Sequence, residues 1–385
     1  MTDLSKIYKK IPIGELLQNW PDLLALSDPK AITSSDIEVL FISSVENPES
    51  KSMVFISEIG PFLNLKDLNP STQSELVLNF LKTPPLVAVL PLNVEPEIIN
   101  IFNKHSILTL KSPNPKLAMA LVSQKYLIHP RINHHFEFSE SDIHPTAIIH
   151  PSAQVGKSVK IGPYSVVGKN TKVGDFSRIA SHVVIESDVE VGTHGQFFSG
   201  SIISWGTVMG DHCLIQSNSC IGSDGFGYAT DPKGQHFEIP HVGRVRFGHH
   251  VHIGAGTQID RGTYGETYIG DFTKIDNLVH IAHNCKIGKS CLITGGFMVA
   301  GSTEIGNFFV CGGRTTVTGH IKITDHVQLA GLSGVQKSVT QSGKYGGHPL
   351  IPLNEYLRVL SSSTKILEFR KDISRLMKHL NLKKD

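Results

Sequence analysis

Apolar side chains recur at every sixth position through most of the second half of the chain. The first run covers every sixth residue from Ile143 to Ile221. A second run covers Phe247 to Ile259, skips four extra residues and continues from Ile269 to Val335. A fixed short period sustained over this length indicates a repeat architecture.

The residue four places after each apolar position is small or β-branched, with Phe297 and Phe309 as the large exceptions. Each of these small residues comes two positions before the next apolar residue of the repeat. The two side chains therefore face the same side of a short strand. One large and one small inward residue per hexad is the pattern of a left-handed parallel β-helix. We therefore predict a mainly β chain whose core is a triangular prism of about nine or ten coils, stacked about 4.8 Å apart.

Two segments interrupt the repeat, at 222–246 and at 260–268. We predict that both leave the prism as insertions. Insertions in a repeat protein emerge on one face and often carry the function.

The remaining chain predicts two further parts. Residues 1–125 mix apolar runs with helical stretches and predict a small α/β domain, joined by a linker (126–142) to the β-helix domain (143–345). Residues 346–385 predict a C-terminal helical extension.

That extension carries a narrow apolar stripe at heptad spacing, formed by Val359, Ile366, Ile373 and Leu380. Such a stripe favours packing on partner helices. Together with a three-faced prism it predicts a homotrimer.

Composition narrows the possible functions. With a net charge of +2 and 18% charged residues, the chain has no large field that would favour nucleic acid. We find no apolar run long enough for a signal peptide or a membrane span, and so expect a cytoplasmic protein without an integral membrane segment. Four of the five cysteines lie on or beside inward columns, which favours packing over disulfides or metal binding.

Four segments resemble the UDP-3-O-(3-hydroxyacyl)glucosamine N-acyltransferases of lipid A biosynthesis. They are SDGFGYA (223–229), IPHVGRV (239–245), IDRG (259–262) and IDNLVHIAHN (275–284). The resemblance implies transfer of a 3-hydroxyacyl group from acyl carrier protein to the 2-amine of a UDP-sugar. It implies no cofactor apart from the 4′-phosphopantetheine that the carrier protein brings.

In that family the histidine of the IAHN motif is the general base, and this histidine corresponds to His283. This residue follows the inward Ile281 by two places, so its side chain should point away from the core. Imidazole is suited to take the amine proton near neutral pH. Asp276 could orient His283 or the substrate ammonium, or it could be a residue that the repeat tolerates at that position. His320 lies two coils plus one residue further on and is expected near the 3-hydroxyl or the oxyanion, or on the surface.

Gly301 and Gly319 follow His283 at intervals of one coil. We predict that these glycines leave a lane for the acyl chain and let its carbonyl approach a backbone N–H, or that they serve as ordinary turn glycines. Asn284 could bind the sugar or cap a turn, and we also count His241 among the substrate-binding candidates.

The resemblance further implies a uracil site in the N-terminal domain. Phe55 could provide its aromatic ring, but Glu58 replaces the expected asparagine and Phe62 is one place late for the expected tyrosine. A divergent paralogue with altered specificity therefore stays open.

Other readings also stay open. The cluster of His280, His283 and Cys285 suggests a zinc-dependent γ-type carbonic anhydrase on the same fold. A non-catalytic scaffold and the related UDP-N-acetylglucosamine O-acyltransferase are the further alternatives. The basic residues of the C-terminal helix could dock the acidic carrier protein or could form a solvated exterior.

Overall fold

The computed structural model describes residues 8–27, 37–58, 62, 75–127, 142–346, 358, 361–363 and 365–380. The chain divides into two compact units, Met1–His134 and His135–Asp385. The boundary between them falls inside the segment 126–142.

The N-terminal unit is an α/β domain. Its elements are β1 (Ile11–Pro12), α1 (Ile13–Asn19), β2 (Ala25–Leu26), β3 (Glu38–Val39), β4 (Phe41–Ile42), β5 (Ser52–Phe55), α2 (Glu75–Lys82), β6 (Val87–Pro91), α3 (Pro96–Lys104), β7 (Leu108–Ser112) and α4 (Pro115–Tyr126). Strands β4, β5, β6 and β7 run parallel, β2 joins the edge of their sheet in the antiparallel sense, and β1 pairs with β3. Strands β5 and β6 are mostly apolar because both faces of the parallel sheet are buried.

The second unit is the predicted left-handed parallel β-helix. In its described part, three parallel sheets of ten, ten and nine strands form face 1, face 2 and face 3. Face 1 comprises Lys160–Ile161, Arg178–Ile179, Gln196–Phe197, Leu214–Ile215, His252–Ile253, Lys274–Ile275, Leu292–Ile293, Val310–Cys311, Val327–Leu329 and Gly343–Tyr345. Face 2 comprises Ile148–Ile149, Val166–Val167, Val184–Ile185, Ile202–Ile203, Cys220–Ser223, Gln258–Asp260, His280–Ile281, Met298–Val299, Thr316–Val317 and Gly334–Val335. Face 3 comprises Gln154–Val155, Lys172–Val173, Glu190–Val191, Val208–Met209, Arg244–Phe247, Glu266–Ile269, Lys286–Ile287, Glu304–Ile305 and Lys322–Ile323.

The sixth-position residues form the core of the prism. They are buried almost without exception, and Phe297 packs edge-on against Phe309 inside, with 6.1 Å between ring centroids. Small inward residues satisfy the backbone: the hydroxyls of Ser165 and Thr171 each donate to a carbonyl oxygen of the next coil at 2.6 Å. The large apolar residues fill the core and the small hydroxyl residues satisfy backbone carbonyl groups, which explains why the repeat alternates the two kinds.

Each coil turns sharply at its edges, where one residue adopts a left-handed backbone conformation. Six histidines occupy such positions, with φ between 57° and 59°, or 56° at His250. Asn, Asp and His adopt this region more readily than most other non-glycine residues, although Ser, Phe, Tyr and Leu also occupy it in this chain. These histidines are His182, His194, His212, His250, His320 and His326.

Both predicted insertions leave the prism at one edge, between face 2 and face 3, which we call the insertion edge. The first contains a hairpin of Tyr228–Thr230 and His236–Glu238, whose strands pair antiparallel. The second is a tight loop between Gln258–Asp260 and Glu266–Ile269. Because both insertions leave from the same edge, the irregular backbone that they contain lies along that edge.

The C-terminal extension contains the helix α5 (Ile366–His379). Its described apolar residues, including Ile366, Ile373 and Leu380, are exposed in the single chain, whereas Val359 lies outside the described residues. No helix within the described ranges is both long and apolar enough to span a bilayer.

Candidate functional site

His283 lies on the insertion edge, directly after the face 2 strand His280–Ile281. Ile281 points into the core and is fully buried, while the His283 ring is outside the core and part-buried. The outward position expected from the repeat is therefore confirmed.

Asn284 fixes the tautomer of His283. The side-chain oxygen of Asn284 accepts hydrogen bonds from the backbone N–H of Thr263 at 3.1 Å and from its hydroxyl at 2.9 Å. Because a backbone N–H can only donate, the atom at that position is the oxygen rather than the amide nitrogen. Nδ1 of His283 lies 3.0 Å from the same oxygen and must carry the proton. The neutral ring therefore presents the lone pair of Nε2, as a general base requires.

Gly301 forms the surface on which the imidazole rests. A Cβ atom at residue 301 would lie 2.7 Å from Cε1 and 2.8 Å from Nε2 of His283. The His283 ring fills the space that a side chain at residue 301 would take, and a lane for the acyl chain along these glycines stays a prediction. At Gly319 a Cβ would first meet the carbonyl oxygen of Gly301 at 3.0 Å, so no side chain fills that position.

The first insertion covers His283 from the other side. His241 packs edge-on against it, with 5.1 Å between ring centroids, and is 4% exposed. A Cβ at Gly225 would lie 2.8 Å from both His241 Nε2 and His283 Cβ, and one at Gly227 would lie 2.7 Å from His241 Cε1. The two glycines of the GFG segment are therefore required for close packing on the histidine pair. Within the described ranges, the buried Nε2 of His241 has no hydrogen-bond partner.

A buried guanidinium ties the two insertions to the prism. Arg261 is 1% exposed and donates to the carbonyl oxygens of Gly222 at 2.7 Å, Trp205 at 3.1 Å and Gly243 at 3.3 Å. Its charged group also lies 3.9 Å from the centroid of the Trp205 ring. Sequence reasoning did not single out this residue, although the segment IDRG contains it.

Asp276 lies at a different edge, between face 1 and face 2. Its carboxylate accepts hydrogen bonds from the backbone N–H groups of Asn277 at 2.7 Å and Gly295 at 3.0 Å. In the single chain its carboxylate is bound to these backbone groups and not to His283, and a role in orienting His283 or the substrate ammonium stays a prediction. Two successive turns of the repeat separate the residues onto two edges, and within one chain Asn284 is the group bound to His283.

His320 lies two coils from His283 on the insertion edge. Its N–H donates to the carbonyl oxygen of Gly301 at 3.1 Å, and Ser302 donates in the same way to His283 at 2.9 Å. The side chain is exposed. A place further along the same edge, without direct contact to His283, agrees with the spacing in the sequence.

Phe55 belongs to the core of the N-terminal domain. It ends β5, is 9% exposed and packs with Met53, Val87 and Val89. In the described part of the chain its ring packs in the core, and a contact with uracil stays a prediction. Phe62 is likewise buried, in an aromatic cluster with Phe80 and Phe102, while Glu58 is exposed.

The arrangement around Cys285 does not suit zinc. The thiol is buried, donates to the carbonyl oxygen of Ala300 at 3.3 Å, and burial raises its pKa to about 11. A thiol held inside the core cannot meet an imidazole that lies outside it. In the part of the chain that the structure describes, no group of three His, Cys, Asp or Glu residues could hold a metal ion.

Comparison with known proteins identifies the family. Residues 143–225 match the family model of the GMPPB C-terminal domain. The UDP-3-O-acylglucosamine N-acyltransferase of Coxiella burnetii (strain Dugway 5J108-111) is 36% identical over 253 residues, which cover 61% of this chain and 70% of the relative. The chain belongs to the UDP-3-O-acylglucosamine N-acyltransferase family.

Other members of the UDP-3-O-acylglucosamine N-acyltransferase family match a shorter segment. The probable UDP-3-O-acylglucosamine N-acyltransferase 2, mitochondrial, of Arabidopsis thaliana is 46% identical over 148 residues, covering 38% of this chain and 49% of the relative. This chain spans about half the length of several relatives that it matches. Among solved structures, Arabidopsis UDP-N-acetylglucosamine acyltransferase aligns with 53% of this chain and 71% of its own, at 25% identity and a TM-score of 0.48.

Proposed function

We propose that this family member transfers a 3-hydroxyacyl group from acyl carrier protein to the 2-amine of a UDP-3-O-acylglucosamine, with His283 as general base. The observation that carries this proposal is the Nδ1–H held by Asn284, which leaves Nε2 free to accept a proton. The names of the relatives support an acyltransferase that acts on this class of acceptor.

The reaction balances with one base. The amine nitrogen attacks the thioester carbonyl, and Nε2 of His283 takes the proton that the amine loses. The tetrahedral intermediate collapses, the C–S bond breaks, and the proton passes to the sulfur of the carrier's 4′-phosphopantetheine. No covalent enzyme intermediate and no further cofactor are needed.

The partners remain part of this proposal. Helix α5 carries Arg370, Lys371, Arg375 and Lys378 against Glu368 and Asp372, a basic surface that suits an acidic carrier protein. Its exposed apolar stripe suits association into a homotrimer. A cytoplasmic location stays a prediction.

One assay tests the activity. The purified chain is incubated with 3-hydroxyacyl carrier protein and either UDP-3-O-acylglucosamine or UDP-N-acetylglucosamine, and the products are identified by mass spectrometry before and after alkaline hydroxylamine. We expect an amide on the first acceptor that resists hydroxylamine. A labile ester formed only on the second acceptor would indicate the O-acyltransferase reaction instead, and no product on either acceptor would favour a scaffold.

The same assay addresses the nucleotide. Because Phe55 is packed in the core, we expect discrimination between UDP- and TDP-linked acceptors to depend on other residues. Phe55→Leu, a change that keeps the core apolar, should therefore change KM for the UDP-sugar by less than about threefold. A tenfold or greater rise in KM with an unchanged melting temperature would restore Phe55 as a uracil contact.

A further inference from the structure

A buried carboxylate lies beside His280, one coil before His283. Asp260 ends the face 2 strand Gln258–Asp260 and is only 6% exposed. Its Oδ1 accepts a hydrogen bond from the Ser223 hydroxyl at 3.1 Å, and its Oδ2 lies 3.7 Å from Nε2 of His280. Ile259 pairs with Ile281 in the next coil, so Asp260 lies one coil before His283 and at the end of the neighbouring face 2 strand.

Burial of this carboxylate is unfavourable unless positive charge or donors compensate for the lost water. Burial raises the pKa of Asp260, while His280, the Ser223 hydroxyl, His283 and His241 lower it, in that order. His280, His283 and His241 are therefore the groups around Asp260 whose protonated forms its negative charge would stabilise.

The other groups near Asp260 do not supply a compensating positive charge. Cys220 and Cys285 also face it, but burial raises the pKa of both thiols, which are neutral near pH 7. The neighbouring Arg261 directs its guanidinium to the carbonyl oxygens of Gly222, Trp205 and Gly243, and its nearest carboxylate is Asp224 at 3.5 Å.

We propose that Asp260 is a positioning residue whose negative charge stabilises the proton that His283 receives during acyl transfer. This inference rests on the proposed function. As the amine nitrogen forms its bond to the thioester carbon, its proton moves to Nε2 of His283 and the ring becomes a cation. Asp260 stays ionised throughout and touches neither substrate, and the proton leaves His283 for the departing sulfur. A neutral residue of the same shape would keep the packing but lose this stabilisation.

Asp260→Asn in the full chain separates charge from shape. The amide oxygen can still accept from Ser223, and because burial raises the pKa of the carboxyl, its neutral isostere should keep the melting temperature. We expect kcat to fall about tenfold with KM for the acceptor within about twofold. The acid limb of the kcat/KM profile should move to lower pH by about one unit, because a base without a nearby anion binds its proton less tightly.

A matched control removes a carboxylate elsewhere. Asp175 accepts a hydrogen bond from the backbone N–H of Lys157 at 2.7 Å, several coils before the site. Asp175→Asn should leave kcat and the acid limb unchanged. An equal displacement of the limb in this variant would mean that overall charge controls the profile and would overturn the proposal.

A second readout does not need turnover. Diethyl pyrocarbonate modifies neutral imidazole, and fragment-ion mass spectrometry of the tryptic peptide 275–286 separates His283 from His280. We expect the midpoint of His283 modification to move to lower pH in Asp260→Asn. If the midpoint moves in Asp260→Asn but the wild-type chain has no acyltransferase activity, the proposed function is overturned and the charge coupling is supported. An active wild type with an unmoved midpoint and an unmoved limb in the variant would overturn the inference alone.

Discussion

Two edges of the prism carry histidines and use them for opposite purposes. On the edge between face 3 and face 1, which we call the ladder edge, five rings stack in a column with centroid separations of 5.0, 4.6, 4.7 and 4.9 Å. The rings of the column are Phe176, His194, His212, His250 and Phe272. Each coil provides a ring at the left-handed position, so each imidazole packs on another ring.

On the insertion edge the left-handed position belongs to Asn284, and His283 precedes it by one residue. The next coil there provides Gly301 instead of a ring, and the first insertion provides His241 as a cover. The comparison shows that a turn histidine in this fold is structural by default. It becomes a candidate base where its neighbours free one nitrogen and hold the other.

Replacing one histidine from each edge by alanine should give the largest difference in kcat. His283→Ala removes the base and should lower kcat by roughly 10²- to 10⁴-fold with the fold intact. His212→Ala, its control from the ladder edge, should retain kcat within about threefold. Steady-state kinetics with circular dichroism on both variants makes this comparison, and equal losses in the two would erase the distinction between the edges.

Gly301→Ala should have the next largest effect. The added methyl group would overlap the His283 ring at 2.7–2.8 Å, so the ring must move away from Asn284. We expect kcat to fall on the order of tenfold to a hundredfold, since small displacements of a catalytic group are costly. Gly331→Ala is the control, because its Cβ would meet nothing closer than 3.4 Å. Full activity of Gly301→Ala would show that the position of the ring is not critical.

Asn284→Ala tests the group that holds Nδ1. Loss of the acceptor frees the ring to adopt the other tautomer, and kcat should fall about tenfold, whereas Asn284→Asp keeps an acceptor and should recover part of the loss. Ser302 occupies the equivalent left-handed position one coil on, with φ of 59° against 61° at Asn284. Ser302→Ala therefore reports the backbone effect alone, and an equal fall in kcat for it would contradict an orienting role of Asn284.

The smallest expected effect concerns stability near the ladder edge. Burial lowers the pKa of His252 to about 4, from 6.5, and the charges of Lys274 and His250 act in the same direction. A histidine whose folded pKa is depressed stabilises the fold only above its unfolded pKa. Thermal stability should therefore decline as pH falls from about 6.5 to about 4, and His252→Gln should flatten this decline in calorimetry. An unchanged slope would place the acid sensitivity elsewhere.

The repeat made the prism predictable because each coil imposes the same demand on the same positions. Even its exceptions agree, since Phe297 and Phe309 pack together inside. The outward position of His283 followed from the same count. The same count places Asp276 across one corner from His283, and the structure puts the two residues on different edges of the prism.

The insertions could not be predicted in this way because they lie outside the repeat. Three features depend on how 222–246 and 260–268 fold back on the prism. They are the packing of His241 over His283, the hydrogen bonds of Arg261 to backbone carbonyl groups, and the burial of Asp260. The packing of the His283 ring on Gly301 could not be predicted either, because the spacing of the repeat does not fix the orientation of the ring.

A neutron crystal structure at neutral pH tests the central claim most directly, since it locates the deuterium on the imidazole of His283. We expect deuterium on Nδ1, directed at the side-chain oxygen of Asn284, and none on Nε2. Deuterium on Nε2 with a bare Nδ1 would contradict it, because the ring would then offer no lone pair where the amine proton must arrive.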